Sequence, residues 1–290
     1  MNLKEFFNSV IKFGLDRDVR RRPGKNPFPD SAFLYGDPDK EIKSILVGID
    51  MEVGELVLAE HLREREGLDL VISHHPEGIG LAGLPEVMRL QVDILVKAGV
   101  NKNTALELLE ERIREVERRV IPGNITRAVD AARILDLPFI CMHTPADNHV
   151  AHFLAKLFEK EKPKKVKDIV EILKTIPEYQ EAGKDLVGPR IILGNPNRAP
   201  GKILLEMTGG TEGSKDVFDK LYKTGVRTLV SMHLSEEHLK KVKDANLNAV
   251  IAGHISSDNL GLNLLLDRIE KRAGYEFKTI SCSGFRRIRR

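Results

Sequence analysis

The sequence predicts an α/β protein of two lobes built on parallel or mixed sheets, and three observations carry that reading. The chain has 290 residues, and single domains commonly take about 100–200. Short Ile/Val/Leu runs recur along it with helical patterns between them, the mark of strand–helix alternation. Hydrophobic residues make up 41% of the chain, enough for buried cores and too many for a disordered polymer.

At the N-terminus, "MNLKEFFNSVIKF" has the apolar spacing of an amphipathic first helix, with Lys4 and Glu5 too early for a secretory leader. Lys43–Asp50 is a strand, Glu52–Glu66 a helix, Asp69–Ser73 a strand and Leu84–Gly99 a helix. Thr104–Val120 is a longer helix with Thr104 as N-cap and a solvated face of Glu–Arg neighbours. Ile125–Leu135 is helical and Leu137–Met142 a strand. The charged, proline-containing stretch Glu159–Asp168 reads as a linker. The expected division is a first lobe over 1–158, a linker region over 159–200 and a second α/β segment over 201–290. In that segment Lys202–Thr208, Val226–Met232 and Asn248–Gly253 are strands, and Gly213–Thr224, Ser235–Ala245 and Asn259–Ala273 are helices.

The residues just past each apolar run point to chemistry. Five predicted strands end on Asp50, on His74–His75, on His143, on His233 and on His254. Asp147 and Asp258 stand four residues after His143 and His254. In open α/β sheets, ligands bind outside the carboxyl ends of the strands. Six of the nine histidines (His74, His75, His143, His149, His233 and His254) stand in or beside such positions. Neutral imidazoles and carboxylates suit divalent transition metals, and a carboxylate can bridge two of them. The bland readings are one core and one surface histidine at His74–His75, a helix-start pair at His254 and Asp258, and loop hydrogen bonding around His143 and Asp147, the last on a loop held by Pro145. His61, His152 and His238 fall within helical patterns and are expected at the surface. The Gly-rich turn after "LLEMT" offers free backbone N–H groups at Gly209 and Gly210 for an anion, or is a plain tight turn.

The formal net charge is only +3, but "RDVRRRPGK" and "FRRIRR" concentrate basic residues. They are either solvated faces or a weak nucleic-acid contact. Cys141 and Cys282 lack a paired spacing, which points to a reducing cytoplasm. No run approaches a membrane span. The absence of Trp and the abundance of Lys, Arg and Glu lean towards a thermophile.

"ISHHPEGIG", "HTPADN" and "AGHISSDN", in this order and spacing, resemble the Nif-three-like dinuclear-metal proteins, a family often labelled as a second type of GTP cyclohydrolase I. The resemblance extends over most of the chain, including "YGDPDKEIKSILVGIDMEVGELVLAEHL" and "TGGTEGSKDVFDKLYKTGVRTLVSMHLSEEH". It implies two interlinked α/β lobes with a dinuclear site in the cleft between them, assembled as a toroidal hexamer. Carried over motif by motif, it implies His74, His75, Asp147, His254 and Asp258 as ligands of two divalent ions (zinc, iron, manganese, cobalt or nickel). Asp258 stands where the family usually has Glu, and His233 where it more often has an acidic residue. The segment from Leu84 to Val120 is longer than in the shorter members, and the stretch between the lobes is too short for the inserted domain of some relatives.

The expected function is a metal-dependent hydrolase acting on a nucleotide or other small phosphorylated molecule. His143 or His233 would move protons, and either Arg20–Arg22, with Arg21 at its centre, or the Gly209–Gly213 turn, with Gly209 and Gly210, would hold a phosphate. The alternatives are a non-catalytic metal-handling or regulatory ring and a nucleic-acid-binding ring.

Overall fold

A computed structural model describes residues 1–20 and 23–290. Among the described residues, nine strands form two sheets. The first runs β1 (Ala32–Tyr35), β4 (Phe139–Cys141), β3 (Leu70–Ser73), β2 (Ser44–Gly48) and β9 (Lys278–Ser281) from edge to edge. Only β1 is antiparallel to its neighbour. The second sheet runs β5 (Arg190–Leu193), β8 (Asn248–Ile251), β7 (Val226–Ser231) and β6 (Lys202–Glu206), with β5 antiparallel and the rest parallel. Both sheets are therefore mixed, as the sequence predicts.

The helices make three layers around the sheets. α2 (Val53–Glu66) and α6 (Arg127–Ile134) cover one face of the first sheet. α1 (Leu3–Leu15), α7 (Thr144–Glu161) and α12 (His254–Ala273) cover its other face. α7 and α12 also pack on the second sheet together with α8 (Val166–Leu173) and α9 (Pro177–Lys184). The far face of that sheet carries α4 (Leu90–Ala98), α5 (Lys102–Val120), α10 (Phe218–Lys223) and α11 (Glu236–Asp244), while α3 (Ile79–Val87) packs on α5. Buried between two sheets, α12 has almost no solvent-facing side along Ser256–Leu266, which is why its apolar pattern is not a single stripe.

Several elements differ from expectation. The stretch 159–200 is folded: α7 continues to Glu161, Lys162 turns the chain at φ +49, and α8 starts at Val166. Val166, Ile169, Val170 and Leu173 point one way along α8 and are buried, so a charged composition conceals an amphipathic helix. Leu84–Gly99 is two helices meeting at Met88–Arg89, with Pro85 removing a backbone donor in the first. Asn101, rather than Thr104, caps α5, its Oδ1 accepting from Asn103 N–H at 2.9 Å. Sheet membership also departs from chain order, since β9 lies beside β2 and joins the first sheet.

The C-terminal arginines are not a free basic arm. Arg287 donates to Asp267 (2.6 Å) and Glu270 (2.7 Å), and Arg290 to the buried Glu178 (2.5 Å). The Arg287 and Glu270 side chains are only 5% and 8% exposed. Removing one partner of a buried pair strands the other charge. Arg287→Ala is expected to lower the unfolding free energy by about 3 kcal/mol, read by urea denaturation. An exposed pair such as Arg133–Asp130 would cost under about 1 kcal/mol.

Candidate metal centre

β3 stops at Ser73, yet the chain keeps hydrogen-bonding to its neighbour: His74 N–H reaches Gly48 O and His75 N–H reaches Ile49 O, both at 2.9 Å. Ser73 Oγ donates to His75 O at 2.8 Å and tightens the turn. Alternation along a strand would send these rings to opposite faces, but the turn brings both into one site, with ring centres 5.4 Å apart.

Two His-x-x-x-Asp pairs complete the cluster, and each opens a helix. His143 is the N-cap of α7, Pro145 occupies its first turn, and Asp147 stands within that turn. The expectation of a loop at Asp147 is corrected here: proline is favoured in a first turn, where its missing N–H costs nothing. α12 begins at His254, five residues earlier than expected, with Asp258 one turn on. Gly253 precedes it at φ +112, a conformation that L side chains rarely adopt, and a Cβ there would lie 2.5 Å from Ser256 Oγ. His74, His75 and His143 come after strands of the first sheet and His254 after a strand of the second, so the carboxyl edges of both sheets meet at this point.

The imidazoles are oriented from behind. Nδ1 of His75 donates to Asp50 Oδ1 at 2.6 Å, Nδ1 of His143 to Asp30 Oδ2 at 2.8 Å, and Nδ1 of His74 to Met142 O at 3.2 Å. Each bond orients its ring and turns Nε2 towards the cluster. His74 Nε2 lies 3.4 Å from both Asp147 Oδ1 and Asp258 Oδ1. His75 Nε2 and His254 Nε2 each lie 3.6 Å from Asp258 Oδ2. His143 Nε2 lies 3.7 Å from Asp147 Oδ2. Asp258 thus presents one oxygen to His74 and the other to His75 and His254. Three groups have donor atoms within 4.8 Å of one another: His74–Asp147–Asp258, His75–His254–Asp258 and His74–His75–His143.

These residues fit a bound cation. His74 Nε2, Asp147 Oδ1 and both carboxylate oxygens of Asp258 are buried with no hydrogen-bond partner among the described residues. Buried acceptors left unpaired are costly. Burial holds the His74 imidazole down at about 4, so it is neutral and its contacts with the carboxylates are not ion pairs. Burial pushes Asp147 up to about 8. At His143 burial pulls the other way, but Asp147 and Asp30 outweigh it and raise the ring to about 9. At Asp258 burial is overcome by His74, His75 and His254, and the carboxyl lies below its usual range.

The remaining sequence candidates fall around this cluster. His233, after β7, packs at a tilt of 55° against His254 with ring centres 4.8 Å apart and approaches Glu212 at 3.7 Å. Gly209 and Gly210 both have positive φ, +99 and +89. Gln91 from α4 pins their turn by donating to Gly209 O and Thr211 O, each at 2.7 Å. The N–H groups of Gly209–Glu212 donate no hydrogen bond among the described residues. Gly210, Thr211 and Glu212 line a cavity of about 40 Å³ with His143, Asp147, His233, His254 and Asp258. Arg21 lies outside the described residues. Among the described residues, no helix is long and apolar enough to cross a membrane.

Two histidines differ from expectation. His238 is buried rather than at the surface: Ser235 Oγ bonds its Nδ1 at 2.7 Å and Gly213 O its Nε2 at 3.0 Å. His149 stays outside the cluster, its Nδ1–H held by Pro145 O at 2.7 Å and its Nε2 3.3 Å from the Arg268 guanidinium. Burial lowers His149 to about 4, against about 6.5 unfolded. The unfolded chain binds the extra proton between those values, so stability falls as pH drops from about 6.5 to about 4. Urea midpoints should drop across that window, with His149 contributing about 2–3 kcal/mol, and the drop should be shallower in His149→Gln.

The sequence reasoning missed Asp30, Glu206 and Glu212, and gave Asp50 no role. A rule that counted glutamates at strand ends would have found Glu206, the last residue of β6.

No protein-family model and no curated protein matches the chain, but solved structures do. The crystal structure of a NIF3 superfamily protein from Sphaerobacter thermophilus aligns at 25% identity with a TM-score of 0.77, over 94% of this chain and 97% of that one. Reduced HcgD from Methanocaldococcus jannaschii aligns at 18% identity and 0.59, over 97% of each chain. A Bacillus cereus protein related to NIF3 aligns at 10% identity and 0.51, over 97% of this chain and 96% of that one. The last two likenesses speak to the fold alone, while the first extends over nearly the whole length of both chains. With its two mixed sheets and its His/Asp cluster, the chain has a NIF3-like fold and is similar to the NIF3 superfamily protein along nearly its whole length.

Proposed function

We propose that the protein holds two divalent metal ions and is a hydrolase acting on a nucleotide or other small phosphorylated molecule. The observation that carries this is Asp258: a buried carboxylate, both oxygens unpartnered, each facing a different set of imidazoles. One ion falls to His74, Asp147 and Asp258, the other to His75, His254 and Asp258. Divalent cations held there supply Lewis acidity and make adjacent water acidic enough to ionise near neutral pH.

The chain's own groups do the rest. The turn at Gly209–Glu212, whose Gly210, Thr211 and Glu212 line the cavity, binds the phosphoryl oxygens through its free N–H groups. His143, held by Asp30, and His233, 3.7 Å from Glu212, face the same cavity and exchange protons with the reacting group. A cavity of about 40 Å³ admits the reacting group rather than a whole nucleotide.

A non-catalytic metal-handling protein would use the same ligands, so turnover separates the two readings. The experiment is elemental analysis of the native protein and then a phosphoester and nucleotide screen. About two transition-metal ions per chain with metal-dependent turnover supports the hydrolase. Two ions without turnover leaves the metal-handling role, and a protein that takes up no metal after reloading sinks both. Asp50 gives a finer check, because it orients His75 from the surface side. Asp50→Ala should fold normally and weaken metal binding about 10-fold, read by competition with a chromophoric chelator.

A further inference from the structure

The segment after β9 ties together the two elements that carry His75 and His254. Cys282 N–H bonds to Val47 O at 2.9 Å, and Ser283 O then accepts from Ile49 N–H at 3.0 Å. Ile49 is thereby held on both sides, since its own carbonyl accepts from His75 N–H at 2.9 Å. It also immediately precedes Asp50, which orients the His75 ring. The segment then turns, with Phe285 N–H on Cys282 O at 2.9 Å and positive φ at both central residues, +40 at Ser283 and +82 at Gly284. A left-handed serine is strained, and such strain persists only where the surroundings fix it. Here Phe285 is fully buried, and Asn259 clasps the turn.

Asn259 stands one residue past Asp258 on α12 and is 5% exposed. Its Oδ1 accepts from Arg286 N–H at 2.5 Å, and its Nδ2 donates to Gly284 O at 2.9 Å and to Ile255 O at 2.7 Å. One side chain thus fastens the start of α12, with His254 and Asp258 on it, to the segment that holds Ile49. The two sides meet closely at Gly284, where a Cβ would lie 3.2 Å from Ile255 Cγ2 and 3.5 Å from Ile49 Cγ1. Ile255 adjoins His254, and Ile49 adjoins Asp50. We propose that Asn259 is a positioning residue, which with Gly284 sets the spacing of His75 from His254 and Asp258 and so the affinity of the ion they share. This rests on the reading of the cluster as a two-metal centre. The other ion depends less on the clasp, because His74 is oriented by Met142 O and Asp147 is carried by α7.

The test is chelator competition on full-length protein reloaded with zinc. Native protein is measured first, so that failure of the two-metal reading shows before any variant is compared. Fewer than two ions per native chain overturns that reading and this proposal with it. Asn259→Leu removes all three hydrogen bonds of the clasp at similar volume. Gly284→Ala leaves Asn259 in place but presses on Ile255 and Ile49. Each variant should weaken one ion at least about 10-fold and the other by less. Gly284→Ala decides alone where Asn259→Leu does not fold. Arg287→Ala is the control, since it frees the same segment from Asp267 and Glu270 beyond the turn. It should melt lower than native protein and keep both native affinities. If Asn259 served stability alone, Asn259→Leu would behave as Arg287→Ala does. The proposal is overturned by native affinity for both ions in Asn259→Leu and Gly284→Ala, or by equal weakening of the two ions.

Discussion

Asp258→Ala is expected to lose the metal and, with it, the stabilisation that metal confers. Substituting an outer partner of a metal ligand costs about 10–100-fold in affinity. Asp258 faces both halves of the cluster with its two oxygens, so its removal should exceed about 100-fold. The thermal signature has a definite sign. In chelator-treated native protein Asp258 is a fully buried carboxylate that His74, His75 and His254 hold below its usual range, so the metal-free fold stabilises its ionised form. Metal-free Asp258→Ala should therefore melt below metal-free native protein. Adding metal at about 1,000 times its dissociation constant should stabilise native protein by about 4 kcal/mol and leave the variant nearly unmoved. Differential scanning calorimetry with and without chelator reads this directly. An equal metal response in both proteins would remove Asp258 from the site.

The cluster is legible in the sequence because of where it sits. β2, β3, β7 and β8 are parallel strands buried on both faces, and such strands read as unbroken apolar runs whose ends are easy to see. The residues just beyond those ends are then found directly. β1, β5 and β9 give no such signal. They are four-residue strands at sheet edges, and β5 alternates exposed and half-buried residues with Arg190 at its start. The helix starts are misplaced for one reason. α7 and α12 begin immediately after a strand with residues of the His/Asp cluster in their first turns, so His, Thr, Pro, Ser and Asp stand where helix formers are expected. Asp30 is invisible because it lies in an irregular turn 113 residues from the histidine it holds, and no local pattern marks such a contact. His238 is misread because its burial depends on Gly213 O, reached only once the Gly-rich turn is folded.

Gly261→Val is expected to damage fold and site together, because the two carboxylates are set by how closely two helices approach. Gly261 lies on α12 one turn beyond Asp258. A Cβ at this position would stand 2.6 Å from Ala146 O and 2.9 Å from Val150 Cγ2 on α7. Ala146 immediately precedes Asp147, so the backbone that must give way is the backbone that carries Asp147. Forcing bulk into a packed contact costs about 1–3 kcal/mol, and valine at a site too tight for a single methyl belongs at the upper end. The better helix propensity of alanine returns only about 1 kcal/mol, so Gly261→Ala should also destabilise, by less. Both variants should bind metal more weakly as Asp147 and Asp258 are driven apart, with Gly261→Val the worse. Gly54 in α2 is the control: a Cβ there meets nothing within 4 Å, so Gly54→Ala should stabilise by about 0.4–1 kcal/mol and leave metal affinity unchanged. Urea denaturation of the metal-free proteins and chelator competition on the reloaded ones separate the two effects. If Gly261→Val kept native metal affinity while losing stability, the spacing of α7 and α12 would matter to the fold alone.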